Sequence, residues 1–238
     1  MLVWFIASFA AYFVKGLCGF ANTLVFSSIL GFGVNNINIT PVDLLLGYPS
    51  NIILTINNRK SLKPSVWIPL ALLVLAGNIP GAFLLKNINS QYIKIIFGIV
   101  VVIIALEMLL KEYSLLRQNN SKLILYFIGF ISGIFCGLFG VGALLACYVG
   151  RVTNKSDEFV ANMSAVFIVE NTFRLVLYSA MGIITFSSLK TAIILIPFML
   201  AGLICGILSR KVLDDKLIKK IIIILLIISG VILIVKNI

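Results

Sequence analysis

The chain has 238 residues, of which 61% are hydrophobic and 11% are charged, and its mean hydropathy is +1.16. A soluble domain of this size cannot bury so much apolar surface, so the composition indicates a polytopic membrane protein with no separate soluble domain. The net charge of +11 comes from Lys and Arg residues spread over many short loops, which is typical of helix ends at anionic headgroups and does not indicate nucleic-acid binding. Histidine is absent and the four cysteines show no metal-ligand spacing, so neither a cofactor nor a metal site is predicted.

The first half of the chain contains four apolar segments. A transmembrane helix needs about 20 apolar residues at a rise of about 1.5 Å each. The segments that meet this length are at about 2–30, 40–57, 64–85 and 91–110. Thr40 and Pro41 are predicted to open the second helix, because Thr suits an N-cap and Pro suits the first turn.

The second half repeats this plan after a polar linker at 111–122. Its apolar segments are at about 123–149, 156–181, 189–209 and 217–235. The chain is therefore predicted to be all-helical, with about eight transmembrane helices in a single transmembrane domain. No cleavable signal sequence is evident. From the apolar segments we expect a multi-pass protein, with the bacterial inner membrane as its location.

Glycines interrupt the first apolar segment of each half. The first segment contains the sequence GLCGF at 16–20, and the fifth contains glycines at 129, 133, 137, 140 and 142. Glycine adopts positive φ readily and weakens a helix, so we predict that turns at 16–23 and 137–144 break their helices near mid-membrane and face each other. Such breaks free backbone N–H groups for an anion. The alternative is that the glycines only permit close helix packing.

Three short sequences recur in the same order about half a chain apart. GLCGF at 16–20 is echoed by GLFGV at 137–141, AGNIPG at 76–81 by AGLICG at 201–206, and SLK at 61–63 by SLK at 188–190. They indicate an internal duplication, with repeat one at 1–110 and repeat two at 123–238. Four segments per half predict two parallel four-helix repeats with a pseudo-two-fold axis along the membrane normal.

That topology does not reveal the orientation of the protein in the membrane. Under it, eight Lys and Arg residues lie on the side of the termini and nine on the other side. An even distribution carries no information under the positive-inside rule.

Polar side chains recur at helical spacing in the second and sixth segments. The second segment has Asp43, Gly47, Asn51 and Thr55, and the sixth has Asn162, Glu170, Arg174 and Tyr178, with Ser164 and Asn171 beside them. Residues four apart share a helix face, and polar stripes at membrane depth are expected to face the interior or a water-filled cavity.

Each of these charged residues also has a structural interpretation. Glu170 and Arg174 can form an i,i+4 ion pair that only fixes packing. Asp43 is interpreted as a helix cap near the interface. Lys15 can extend its ammonium to a nearby membrane surface, although its place midway along the first segment makes this less favourable.

The duplicated plan, the glycine turns and the AGxxxG sequence in the third segment of each half resemble the TauE/SafE family of sulfite-exporter-like permeases. The resemblance covers essentially the whole chain. It implies transport of a small anion, such as a sulfur oxyanion, an organosulfonate or a related carboxylate. The first turn departs from the family's glycine-rich pattern, because Phe20, Ala21 and Asn22 follow Gly19.

These observations together predict a secondary transporter that moves a small anion by alternating access, and not an enzyme. The alternatives are a membrane assembly or structural protein and an intramembrane enzyme, for which no catalytic set can be assigned. The predicted partners are the anion and membrane lipids, and a coupling proton or cation and a homo-oligomer are left open. The predicted substrate-binding residues are Lys15, Gly19, Asn22, Asn51, Gly140, Gly142, Asn162, Ser164, Glu170, Asn171 and Arg174.

Overall fold

The computed structural model describes residues 1–30, 36–87, 143–153 and 155–235, together with isolated positions between 95 and 134. All regular elements in these ranges are helical. They are α1 (Leu2–Cys18), α2 (Asn22–Leu30), α3 (Asn36–Asn57), a 3-10 turn (Arg59–Ser61), α4 (Pro64–Asn87), α5 (Ala143–Val152), α6 (Ser156–Ala180), α7 (Phe186–Val212) and α8 (Asp215–Val235). Parts of α3, α6 and α7 are long and apolar enough to cross a membrane, which confirms the helical membrane class. The polar linker and most of the fourth and fifth segments lie outside the described residues.

The first apolar segment is a helical hairpin and not one span. Helix α1 ends at Cys18, where Gly19 has a φ of +81° and its N–H donates to the Lys15 carbonyl. The rings of Trp4 in α1 and Phe26 in α2 meet edge to face, with centroids 5.8 Å apart. In one continuous helix these residues would be separated by about 33 Å, at about 1.5 Å per residue. The chain therefore reverses between α1 and α2, and the prediction of a single span over 2–30 is wrong.

Helix α3 runs in the same direction as α1. The Tyr12 hydroxyl donates to Asp43, and one turn further along both helices the Lys15 ammonium lies 3.4 Å from the Gly47 carbonyl oxygen. Helix α3 also begins earlier than predicted, at Asn36, so Pro41 lies inside the helix and Thr40 is not its N-cap. Helix α3 packs against α2, α6 and α7.

Helices that occupy equivalent places in the two halves run antiparallel. Midway along α3, the Tyr48 hydroxyl accepts from the Thr172 hydroxyl of α6. Asn58, at the C-terminal end of α3, and Asp157, at the N-terminal end of α6, are both contacted by Arg210. Residue numbers therefore rise along α3 in the direction in which they fall along α6. Among the isolated positions described in the fourth segment, Gly98 packs against Ile234 and Val102 against Gly230 of α8, which is again an antiparallel contact.

This arrangement contradicts the predicted parallel repeats. Antiparallel equivalents are the relation found between inverted-topology repeats, in which the two-fold axis lies in the membrane plane. The prediction failed because the reversal between α1 and α2 adds one segment to the first half. The number of segments in that half becomes odd, and an odd number reverses the direction in which the second half begins. The boundaries of the repeats remain a prediction.

The repeated AGxxxG sequence in α7 is a close-packing surface. A Cβ added at Gly202 or Gly206 would clash with backbone carbonyl oxygens of α1, those of Phe9 and Phe13. Phe5 stacks on Phe198, with ring centroids 4.3 Å apart. Small residues let the two backbones approach, as is common in membrane helix pairs. Helices α1 and α7 therefore run side by side in the same direction.

Three helix connections meet at one end of the molecule. The Lys63 ammonium pairs with the Glu158 carboxylate at 2.8 Å, and the Ser156 N–H donates to the Asp215 carboxylate at 3.1 Å. Arg210 donates to the Asn58 side chain at 2.9 Å and lies 3.4 Å from Asp157. The connections α3–α4, α5–α6 and α7–α8 are thus on one side, which we call the basic end.

Candidate functional site

A cleft between α1, α2, α3 and α6 collects buried polar side chains at mid-depth. It holds about 470 Å³ of empty space, including the space at its opening. Its polar lining consists of Lys15, Asn22, Thr23, Asp43, Asn51, Glu170, Asn171 and Arg174, and Phe20, Leu24, Leu44 and Phe167 are among its apolar walls. The two polar stripes therefore face the interior, as a membrane environment requires.

Asp43 ties the hairpin to α3. One carboxylate oxygen accepts from the Asn22 side chain at 3.0 Å and from the Tyr12 hydroxyl at 3.2 Å, and the other accepts from the Thr23 hydroxyl at 2.6 Å. Asp43 is buried and lies two turns inside α3, so its interpretation as a helix cap near the interface is wrong. The bonds from Asn22 and Thr23 hold the start of α2, and the bond from Tyr12 joins α1 to α3.

Lys15 is held inside the protein. It is 2% exposed, its ammonium donates to the Gly47 carbonyl oxygen at 3.4 Å, and it lies 5.7 Å from the centre of the Tyr12 ring. The alternative that its ammonium reaches a membrane surface is therefore wrong. An ammonium has three donors, and within the described part of the chain the Gly47 oxygen is its one hydrogen-bond acceptor.

Three side-chain nitrogens converge on Gly47. A Cβ placed on this residue would lie 3.6 Å from the Asn171 amide nitrogen and 3.8 Å from both the Asn22 amide nitrogen and the Lys15 ammonium. The donors come from α6, α2 and α1, and the missing side chain at Gly47 leaves the space between them open. We call this group the donor trio. It offers N–H groups and one positive charge to the same point.

Glu170 and Arg174 form the i,i+4 pair that the sequence suggested. Their closest atoms, a guanidinium nitrogen and a carboxylate oxygen, are 3.6 Å apart. A second guanidinium nitrogen donates to the Tyr178 hydroxyl at 3.0 Å. Both residues also line the cleft, where they are placed to contact a molecule bound there. With Lys15 and Asp43, the cleft contains two cationic and two acidic side chains.

Asn51 is buried in the cleft with its amide unsatisfied. It is 1% exposed, and neither its oxygen nor its nitrogen has a hydrogen-bond partner among the described residues. The Thr55 hydroxyl, one turn further along the same stripe, is in the same state. A buried polar group without a partner costs about 1–3 kcal/mol. A bound ligand or water would offset that cost.

The family model described as Sulfite exporter TauE/SafE matches residues 4–233, which is nearly the whole chain. The chain belongs to the TauE/SafE family. No curated protein and no solved structure matches it. Membership in this transporter family confirms the resemblance seen in the sequence and, with the apolar helices, makes the protein a multi-pass integral membrane protein. Among the described residues, no group of three acidic or cysteine side chains is placed to hold a metal ion.

Not every residue predicted for the TauE/SafE site reaches the cleft. Asn162 joins α6 to α4, because its oxygen accepts from the Lys63 backbone N–H at 3.1 Å. The Ser164 side chain is buried outside the cleft lining. Gly19 shapes the turn and packs against Val160 of α6. Gly140 and Gly142 lie outside the described residues.

Two further polar side chains of this TauE/SafE chain had not been chosen from the sequence: Thr23 lines the cleft, and Tyr12 lies behind it on Asp43. Tyr12 lies one turn before Lys15 on α1, and its hydroxyl reaches Asp43. Thr23 lies just after the turn, and its hydroxyl makes the shortest contact with Asp43. The spacing of Tyr12 and Lys15 on one helix face is the signal that would have identified the tyrosine.

Proposed function

We propose that the protein is a secondary transporter that binds a small sulfur-containing or organic anion of the sulfite, sulfonate or carboxylate type in the cleft between its two halves. The observation that supports this is the donor trio, in which the side-chain nitrogens of Lys15, Asn22 and Asn171 lie around the space over Gly47. An oxyanion presents several oxygens on one small centre, so it can accept from all three. Bonds between charged donors and acceptors are about twice as strong as neutral ones.

The side chains around the donor trio suit an oxyanion rather than a halide. Arg174 lies in the same cleft, and its planar guanidinium matches the paired oxygens of a carboxylate or sulfonate. Asn51 supplies an amide that is unsatisfied among the described residues. Arg174 and Asn51 therefore add further polar groups to the lining of the proposed site.

The charge balance of the cleft favours an anion that is transported together with a proton or a cation. Lys15 and Arg174 already face Asp43 and Glu170, so a monoanion would bring one unbalanced negative charge into a buried site. A proton or cation that travels with the anion removes this imbalance. One Glu170 oxygen, which lies 3.6 Å from the Arg174 guanidinium, accepts no hydrogen bond among the described residues, and we propose this carboxylate as the group that takes up such a proton when the anion occupies Arg174.

Alternating access requires a barrier that can open on each side of the cleft. At the basic end, Arg210 bonds to the Asn58 side chain and to the Gly16 carbonyl oxygen, and it pairs with Asp157. These groups, which we call the Arg210 cluster, join α1, α3, α6 and α7 below the cleft. In inverted-repeat transporters, one half rocks against the other around a fixed site. The Arg210 cluster separates in the state that opens the cleft toward the basic end.

Thermal unfolding of the purified protein in the presence of different anions tests the proposal. Sulfite, a small organosulfonate or a small carboxylate should raise the midpoint, and chloride and cations at equal ionic strength should not. Lys15→Gln should remove the shift, and Lys60→Gln, at an exposed position of the basic end, should retain it. If none of these oxyanions raises the midpoint, or if Lys15→Gln responds like the unaltered protein, the cleft is not the anion site.

A further inference from the structure

The basic end carries most of the Lys and Arg residues that the structure describes. The segment from Arg59 to Lys63 contains three, Arg151 and Lys155 add two, and the segment from Arg210 to Lys220 contains five. These ten residues lie on one side because contacts between Lys63 and Glu158, Arg210 and Asp157, and Ser156 and Asp215 bring the three connections together.

The opposite end is nearly free of positive charge. Helix α6 ends at Ala180 and α7 begins at Phe186, and the connection between them has no charged residue. Of the Lys and Arg residues in the described ranges, two lie toward this end, Lys86 in the last turn of α4 and Lys190 in the second turn of α7. The two that remain, Lys15 and Arg174, are inside the cleft and on neither surface.

We infer that the basic end faces the cytoplasm. Short loops rich in Lys and Arg stay on the cytoplasmic side during insertion, and it is the count of basic residues, not the net charge, that sets orientation. A ratio of ten to two within the described residues is a strong bias, whereas the topology expected from the sequence divided the basic residues evenly. The anionic lipids of the cytoplasmic leaflet are the partner for this surface, because they attract Lys and Arg residues close to the membrane.

The orientation also assigns the ends of the described helices. Helix α1 begins and α8 ends on the side away from the basic end, so Leu2 and Val235 are extracytoplasmic. The Arg210 cluster lies on the cytoplasmic side of the cleft. This inference does not depend on which anion is carried.

Cysteine labelling in intact bacterial cells tests the orientation. In a background with Cys18, Cys136, Cys147 and Cys205 replaced by alanine, single cysteines are introduced as Ser187→Cys, at the start of α7, or Lys60→Cys, at the basic end; both positions are exposed. A membrane-impermeant maleimide should label Ser187→Cys in intact cells and Lys60→Cys only after permeabilisation. The reverse pattern, or labelling of both in intact cells, overturns the inference.

A reporter fused behind the last residue tests the same point without altering the cysteines. Alkaline phosphatase folds only outside the cytoplasm, and green fluorescent protein exported through the general secretion route does not fluoresce. The phosphatase fusion should be active and the fluorescent fusion dark. A bright fluorescent fusion with an inactive phosphatase overturns the inference, and activity from both indicates mixed orientation and overturns it too.

Discussion

Gly47→Ala is predicted to separate anion binding from folding. The added methyl group would lie 3.6 Å from the Asn171 nitrogen and 3.8 Å from the Asn22 and Lys15 nitrogens, all ordinary van der Waals distances. The fold therefore accommodates it without a clash. Gly47 lies within helix α3, where alanine is favoured over glycine by about 0.5–1 kcal/mol. The stability of the protein without anion should stay the same or rise slightly.

Binding should change in the opposite direction. The methyl group occupies the point on which the donor trio converges, so the charged oxyanion would lose at least one hydrogen bond. Such a bond contributes about 1.5–3 kcal/mol, so its loss corresponds to a dissociation constant roughly tenfold to 150-fold larger. A lower affinity together with equal or higher stability is a combination that general damage to the fold cannot produce.

Two measurements on purified protein decide the question. Thermal unfolding without anion measures stability, and isothermal titration with the tightest-binding anion of the panel measures affinity. Ala201→Gly serves as a control because Ala201 is an exposed helical position of α7, so it changes helix propensity without touching the cleft. If Gly47→Ala binds the anion as tightly as the unaltered protein, the donor trio is not the binding site.

Three further changes test other parts of the structure. Gly206→Val should lower stability by about 1–3 kcal/mol or more, because its side chain would meet the α1 backbone. The control Ala201→Val, on the exposed face of α7, should have little effect. Equal thermal unfolding midpoints for the two variants would argue against the α1–α7 packing. Arg174→Gln should both destabilise the protein and abolish anion uptake into proteoliposomes, and adding Glu170→Gln should restore the melting midpoint but not the uptake; restored uptake would make the pair purely structural. Arg210→Ala should lower the melting midpoint more than Lys211→Ala, because Arg210 is buried on Asn58 and Gly16 while Lys211 is exposed; similar midpoints would show that the Arg210 cluster does not hold the helices together.

The class of the protein and much of the cleft could be predicted from the sequence. Apolar length identifies α3, α6 and α7 as membrane helices, and the spacing of polar residues brings Asn51, Glu170 and Arg174 to one interior surface. These features depend on local periodicity, which a single sequence displays directly. Lys15 was also identified, because a charge in the middle of an apolar run is costly unless it has a function.

The direction of the chain could not be predicted in the same way. The stretch at 2–30 is long enough for one tilted span and also long enough for two short helices, and hydropathy does not distinguish them. Contacts between α1 and α2, such as that between Trp4 and Phe26, show the reversal. This one difference changed the relation between the halves and the side on which the loops lie. It therefore also concealed the charge bias of the basic end.

Asp43 was misjudged for a local reason. Thr40 and Pro41 resemble a helix start, which would place Asp43 in a first turn where a carboxylate is a common cap. In the structure α3 begins at Asn36, and tertiary contacts with Tyr12 and Thr23 determine the role of the carboxylate. Contacts between helices far apart in sequence were not visible in the spacing of residues within one segment.

The most direct test of the account is to locate a bound oxyanion in an experimental structure. Selenite is a close analogue of sulfite, and the anomalous scattering of selenium marks its position independently of the protein density. We predict a selenium peak over Gly47, within hydrogen-bonding reach of Lys15, Asn22 and Asn171. A peak elsewhere in the protein, or a cleft without selenium at a concentration that saturates binding in solution, would contradict it.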